Sequence, residues 1–184
     1  VAVHYGGGWY THRHRCFGLP KAIYRVTVKS ADGERDFVSD ENCRVGKSFV
    51  NSYNFTSFEE HNYVGFDFKC FSDDFDDSDW AAAKVYHPAI KVSSDRTEPN
   101  RLMEEIKPLS VLEVSPGVYR VDMGINYAGW FEMQIEGQPG DSVHFQFSER
   151  EKDVCSYGIH SIYKVGSKRK GTFCNRFNYM TGRW

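Results

Sequence analysis

The stretch Asp122-Met123-Gly124-Ile125-Asn126-Tyr127-Ala128-Gly129-Trp130 decides the fold, together with the alternating pattern on either side of it. After this stretch, apolar side chains occupy every second position twice in succession: Phe131, Met133 and Ile135, then Val143, Phe145 and Phe147. Period-two alternation predicts half-buried strands. The residues Gly137-Gln138-Pro139-Gly140 between the two runs have turn chemistry. Residues 117–147 therefore predict strands joined by tight turns, forming one antiparallel sheet with a buried face.

Composition supports an all-β chain and excludes two classes of partner. Aromatic residues make up 16% of the 184 residues, with 11 Tyr and 14 Phe, and aromatic side chains favour strands. The net charge is -2 with both signs interspersed, so we predict no nucleic-acid partner. No apolar run approaches the roughly 20 residues needed to cross a bilayer, so we predict no membrane partner either.

The N-terminal half also reads as strands. Alternation over residues 22–29 leads into Ala31-Asp32-Gly33-Glu34, which predicts a hairpin with a type I′ turn. Residues 49–53 and 64–71 predict further strands, and the polar segment over residues 91–100 predicts a boundary. The sequence therefore predicts two consecutive antiparallel β domains, over residues 1–90 and 91–184.

Several motifs, in order along the chain, carry a family resemblance. The Asp122–Trp130 stretch followed by Phe147-Ser148-Glu149 resembles a β-sandwich domain that precedes the catalytic barrel of bacterial α-L-rhamnosidases. Gly7-Gly8-Trp9-Tyr10, Phe75-Asp76-Asp77-Ser78-Asp79-Trp80 and the segment 99–108 resemble earlier parts of the same region. The resemblance implies two jelly-roll-like β-sandwiches, the first galactose-binding-like. It implies that the second is incomplete, because Arg183-Trp184 resembles the start of a further strand.

The resemblance places the chemistry outside this chain. In the family, the catalytic carboxylates lie in an (α/α)6 barrel that follows the β domains, so no residue here inherits a catalytic role. The implied parent is a glycoside hydrolase, its substrate a rhamnose-containing carbohydrate, and the downstream barrel is the implied partner. The adjacent pairs Glu59-Glu60 and Glu104-Glu105 would point to opposite faces of a strand, so we predict that they lie at the surface or a sheet edge. Bacterial cytoplasm, periplasm and secretion all remain open.

Carbohydrate binding is the positive function that the residues suggest, because sugars stack on aromatic rings and hydrogen-bond to amides and carboxylates. The candidates are Trp9, Tyr10, Asp40, Asn42, Tyr53 and Glu59. The alternative for the aromatic members is packing in the core. Some rhamnose-binding relatives use an Asp/Asn pair with calcium, so the resemblance implies calcium as a cofactor at Asp40 and Asn42. Residues 53–61 lack the family's Gly-Glu and Ala-Arg elements. Two alternative functions are a scaffold module without a sugar ligand and a stand-alone lectin-like protein.

Five residues of the opening stretch form a candidate structural motif: Asp122, Gly124, Asn126, Gly129 and Trp130. We interpret Asp122 and Asn126 as turn-forming side chains that bond to local backbone. Gly124 and Gly129 would supply unusual dihedral angles. Trp130 would cover the sheet or an interface with a following domain.

Metal-site patterns are weak. The five aspartates of residues 71–80 could form a calcium loop, but the EF-hand pattern fails, and a short Asp-capped helical turn is the alternative. His12 and His14 would share one face of a strand, as zinc ligands or as an ordinary polar face. The five cysteines form no C-x-x-C pair, and their odd number does not indicate a disulfide framework. We therefore predict no metal site from these patterns.

Overall fold

A computed structural model describes residues 1–6, 18, 21–54, 58–91, 93, 96–153 and 155–184. These residues form β-strands and two short 3-10 turns, Phe68–Phe71 and Ser156–Gly158, so the all-β prediction is confirmed. The strands are β1 (Arg25–Ser30), β2 (Gly33–Val38), β3 (Arg44–Val45), β4 (Val50–Asn54), β5 (Phe58–Asn62), β6 (Ala81–Ala82), β7 (Ser110–Ser115), β8 (Val118–Asp122), β9 (Tyr127–Gly129), β10 (Glu132–Glu136), β11 (Ser142–Gln146), β12 (His160–Lys164), β13 (Lys170–Cys174) and β14 (Met180–Gly182). In these ranges, no helix combines the length and apolar character needed to cross a membrane.

A four-stranded sheet in the order β11-β12-β5-β4 is the largest in the described chain. The outer pairs β11/β12 and β4/β5 are antiparallel, but β12 and β5 are parallel, with His160 opposite Phe58. The purely antiparallel arrangement was therefore wrong at this pair. A parallel pair needs a long connection, and the chain between β5 and β12 is long enough to provide it. The sheet contains strands from both sides of residue 90. The division of the chain into two domains near that residue stays a prediction.

The strands of residues 118–146 do not form one sheet, which corrects the expectation. They pair instead with four different partners, as β7-β8, β9-β14, β10-β13 and β11-β12. The remaining two-stranded pairs are β1-β2 and β3-β6. Period-two alternation fixes which face of a strand is buried, but it carries no information about which other strand lies alongside.

An aromatic core lies between the central sheet and the β10-β13 pair. Phe173 on β13 is completely buried and lies 5.0 Å from Phe131 and 5.2 Å from Phe145, measured between ring centroids. The core also contains Phe49, Tyr63, Ile135, Tyr163 and Val165. A Cβ atom at Gly171 would overlap the Tyr163 hydroxyl, so the absence of a side chain allows β13 to approach β12. Two layers packed on one apolar core form a β-sandwich.

The β1-β2 hairpin is confirmed, but its turn is not type I′. Gly33 has a φ of +125°, whereas Ala31 and Asp32 lack the positive φ that a type I′ turn requires. The Ser30 hydroxyl accepts a hydrogen bond from the Asp32 amide at 3.3 Å, which holds the chain in the observed turn. The residue that needs a positive φ is therefore Gly33, the first residue of the return strand β2.

The strand predicted over residues 64–71 is absent, because local polar groups redirect the chain. Val64 and Gly65 form a turn in which Gly65 has a φ of +70°. The Asp67 carboxylate then accepts a hydrogen bond from the Lys69 amide at 2.9 Å and caps the 3-10 turn Phe68–Phe71. Asp is a preferred N-cap residue. The Asp-capped helical turn predicted within residues 71–80 is not observed there, where residues 72–80 form bends and turns instead.

Candidate functional site

An open cleft, here called the Trp80 cleft, lies beside β4 and β5 and has a volume of about 490 Å³. It is bordered by residues 45–48 after β3, residues 62–70 after β5, and residues 75–81 before β6. The aromatic residues of the lining are Phe66, Phe75 and Trp80. The polar lining consists of Lys47, Ser48, Asn51, Asn62, Asp67 and Asp79. This combination of rings, amides and carboxylates has the chemistry of a small-molecule site.

The Trp80 ring is held in place by its neighbours. Pairing of β3 with β6 sets Val45 opposite Ala81, which brings residue 46 next to residue 80. A Cβ atom at Gly46 would overlap the Trp80 ring, so the indole packs directly against backbone. Phe75 contacts it edge-on, with ring centroids 5.4 Å apart. The half-buried indole is therefore a fixed surface in the cleft wall.

The polar groups of the cleft are positioned by short local hydrogen bonds. Asn62, at the end of β5, accepts a bond from the Val64 amide at 3.0 Å through Oδ1. Asp67 uses Oδ1 in the same way as the cap of the 3-10 turn. Backbone amides therefore orient both side chains through one oxygen each.

Glu60 links the cleft to the central sheet. Lys164 on β12 contacts the Glu60 carboxylate at 2.8 Å, and Ser52 donates to it at 3.3 Å. Hydrogen bonding from Lys164 lowers the pKa of Glu60, and the side chains of Asn51 and Ser52 lower it further. Asn51, which lines the cleft, is therefore attached to an ionised group on the sheet.

The inward face of β5 carries a buried polar pair that the sequence did not reveal. Glu59 is 0% exposed and His61 is 1% exposed, and the His61 Nε2 atom lies 2.5 Å from Glu59 Oε1. The same carboxylate accepts hydrogen bonds from the backbone amides of Arg176, Phe177 and Asn178 at 2.7, 2.9 and 3.2 Å. Glu59 therefore holds the loop between β13 and β14 against the sheet.

The surface or edge position predicted for Glu59 was wrong, and its carboxylate does not line the cleft. Its donors are all supplied by the chain itself. Tyr53 lies opposite Glu59 on β4, with its ring 4.9 Å from Phe177, so the structure brings Tyr53 and Glu59 together beside the core. The alternation of β5 predicts that Glu59 and Glu60 point in opposite directions. Burial of Glu59 becomes favourable because His61 and the distant loop of residues 176–178 supply partners for its carboxylate.

The other predicted sugar contacts fall elsewhere. Asp40 and Asn42 share one turn after β2, where Asn42 donates its backbone amide to Asp40 Oδ1 at 2.9 Å. Its side-chain amide lies 3.3 Å from Asp40 Oδ2. In the parts of the chain that the structure describes, no group of three or more His, Cys, Asp or Glu side chains is arranged to hold a metal ion. Calcium at this pair stays a prediction. Trp9, Tyr10, His12 and His14 lie outside the described residues.

Asp122 and Gly124 of the structural motif behave as predicted. Asp122 accepts a hydrogen bond from the Gly124 amide at 2.7 Å, and Gly124 has a φ of +81°. The same carboxylate receives Nε and Nη2 of Arg183 at 2.8 and 3.0 Å, a partner the sequence did not indicate. Gly129 was wrongly assigned an unusual dihedral, because it pairs with Met180 in extended β9. Asn126 is exposed and Trp130 is 40% exposed.

We expect Asp122→Asn to destabilise the chain at neutral pH but much less in acid. The hydrogen bond from Arg183 and that from the Gly124 amide hold the pKa of Asp122 below its usual range. A depressed pKa stabilises the fold above the unfolded value of about 3.9, and this stabilisation is lost as pH falls through the folded pKa. Urea midpoints at pH 7 and pH 3 measure the effect, with the exposed turn variant Asp32→Asn as control. An unchanged midpoint difference at the two pH values would contradict the ion pair's contribution.

Comparison with known proteins finds similarity to α-L-rhamnosidases. Residues 112–184 match the family model described as "Bacterial alpha-L-rhamnosidase concanavalin-like domain". The chain is 29% identical over 136 residues to an alpha-L-rhamnosidase of Formosa agariphila. The aligned region covers 71% of this chain and 14% of that protein. The chain therefore spans only about one seventh of the length of this relative.

Solved structures show the same fold. The alpha-L-rhamnosidase of Dictyoglumus thermophilum aligns over 96% of this chain and 21% of its own, with a TM-score of 0.81 and 24% identity. The alpha-L-rhamnosidase of Streptomyces avermitilis, complexed with L-rhamnose, aligns over 88% of this chain and 17% of its own, with a TM-score of 0.71 and 22% identity. At these identities the likeness establishes a shared β-sandwich architecture.

Proposed function

We propose that the chain is a non-catalytic β-sandwich region of an α-L-rhamnosidase-like glycoside hydrolase, because residues 112–184 match the model of the bacterial alpha-L-rhamnosidase concanavalin-like domain. Its role is to support a catalytic (α/α)6 barrel in the same polypeptide. The parent enzyme would act on rhamnose-containing carbohydrates, in keeping with the activity named for its relative.

The observation that carries this proposal is the exposed apolar hairpin formed by β7 and β8. Every residue of β7 is exposed. Six large apolar side chains of the hairpin and its approach are 50–73% exposed: Leu109, Val111, Leu112, Val114, Val118 and Tyr119. Exposed apolar side chains clustered on one hairpin mark an interaction surface, and a two-stranded hairpin is marginally stable alone in water. The hairpin therefore suits a face that another domain covers.

The catalytic domain is the occupant that best fits this surface. The relative contains about seven times the length that this chain matches, so a large body of protein is available in such enzymes to pack on the hairpin. Both faces of the hairpin carry apolar groups, because successive strand residues point to opposite faces. Val111 pairs with Val121 on one face, and Leu112 pairs with Arg120 on the other. Packing of a neighbouring domain would bury this area and stabilise both partners.

The first test separates support from catalysis. We expect the purified 184-residue chain to release no detectable product from an aryl α-L-rhamnoside, measured by absorbance of the freed phenol. Hydrolysis that disappears when one carboxylate of this chain is replaced would overturn the non-catalytic assignment.

The second test addresses the docking surface in the complete polypeptide. Leu112→Asp places a charge on the hairpin, and we expect it to lower the melting temperature of the whole enzyme by several degrees, because a charge at a buried interface is costly. Val28→Asp, on the exposed β1-β2 hairpin, is the matched control and should change little. Equal effects of the two variants would show that the β7-β8 hairpin has no special contact.

A further inference from the structure

We infer that the Trp80 cleft binds one neutral sugar residue of a glycan, with the Trp80 indole as its stacking surface. The inference rests on the proposed function, since it gives the supporting region a ligand of the class that the parent enzyme would act on. It uses residues different from those that the sequence suggested for this purpose.

The size and openness of the cleft suit a small polar ligand. Its volume of about 490 Å³ lies within the roughly 300–1,000 Å³ that small-molecule sites occupy. The cleft is open to solvent, so a sugar residue at the end or on the side of a longer chain can enter while the rest of the glycan stays outside.

The fixed indole supplies the apolar contact. One side of the Trp80 ring packs on the backbone of Gly46, and Phe75 meets it edge-on. A ring already immobilised in the free protein loses little side-chain entropy when a ligand binds. The C–H bonds on one face of a pyranose can then pack on the indole and the neighbouring Phe66, which also lines the cleft.

The polar groups fit hydroxyls better than anions. The amides of Asn51 and Asn62 donate and accept hydrogen bonds, and the carboxylates of Asp67 and Asp79 accept them. A sugar hydroxyl can serve as the partner for either kind of group. Among the described residues of the lining, Lys47 is the single cation, against two carboxylates, so this part of the lining carries a net charge of -1. This charge disfavours uronic acids and sugar phosphates relative to neutral sugars.

Calorimetric titration of the purified chain with L-rhamnose, and in parallel with D-galacturonate, tests the inference. We expect saturable binding of L-rhamnose and at least a several-fold weaker response to D-galacturonate. Stacking is worth up to about tenfold in affinity, so Trp80→Ala should weaken L-rhamnose binding by up to that factor, and Trp80→Phe should restore part of it. Saturable shifts of the Asn51 and Asn62 side-chain amide signals in NMR spectra should accompany binding.

Asp79→Ala and Asp73→Ala form a matched pair, because both lie in the acidic segment but only Asp79 lines the cleft. We expect weaker binding for Asp79→Ala and unchanged binding for Asp73→Ala. Equal effects of the two aspartate variants, or binding that depends on added calcium, would overturn the assignment to this cleft. A wild-type chain that binds neither sugar would also overturn it, while the rhamnoside and Leu112→Asp experiments would still decide the supporting role.

Discussion

Glu59→Ala is expected to lower the free energy of unfolding by about 3–5 kcal/mol, because it removes one partner of a buried charged network. Three backbone amides, at residues 176–178, and the His61 ring all point at this carboxylate. Without it, the buried His61 ring and these part-buried amides would lose the acceptor that they share. The loop between β13 and β14 would lose its attachment to β5.

Urea unfolding followed by tryptophan fluorescence measures this effect. The adjacent residue provides the control, since Glu60 lies on the opposite face of β5 and contacts Lys164 near the surface. Glu60→Ala should cost no more than about 1 kcal/mol. If the two variants lose similar stability, the buried carboxylate does not hold the loop in the manner described.

Phe173→Ala is the second substitution with a large expected effect, again about 3–5 kcal/mol, through loss of buried apolar area and the cavity left behind. Phe173 is 0% exposed and its ring lies 4.5 Å from the His61 ring as well as close to Phe131 and Phe145. It therefore connects the β10-β13 pair with both halves of the central sheet.

Phe71→Ala is the matched control for this substitution. Its side chain is 64% exposed and its ring centroid lies 5.9 Å from that of Phe66. Removal of a ring at such a position should change the stability by about 0.5 kcal/mol or less. The midpoints and slopes of urea unfolding for both variants provide the comparison, and a small loss for Phe173→Ala would mean that the two layers are held together elsewhere.

Strand positions were the part of the fold that the sequence revealed best. Alternation located β10 and β11 to within one residue, and the Asp122-x-Gly124 spacing foretold the turn after β8. Both signals are local, because they depend on backbone geometry over a few residues. Val64–Phe71 failed, since its apolar residues resemble a strand while Gly65 and Asp67 impose a turn and a cap.

Partners distant in sequence were beyond such reasoning. Nothing near Asp122 indicates that Arg183 will bind it, and nothing near Glu59 indicates the amides of residues 176–178. The cleft shows the same limit. Trp80 was visible as part of a motif, but Asn62 joins it only because β5 ends beside the β3-β6 pair. Side-chain chemistry can be read from a sequence, whereas the assembly of a site requires the packing of separate segments.

The parallel pairing of β5 with β12 has a consequence for biosynthesis. A ribosome produces β5 about 100 residues before β12, so the nascent chain carries an unpaired strand edge while those residues are translated. Such edges are open to pairing with other molecules, and contacts so distant along the chain slow folding. We expect newly made chains to depend on chaperones until residues 160–164 emerge, and recombinant production to benefit from slower translation at low temperature.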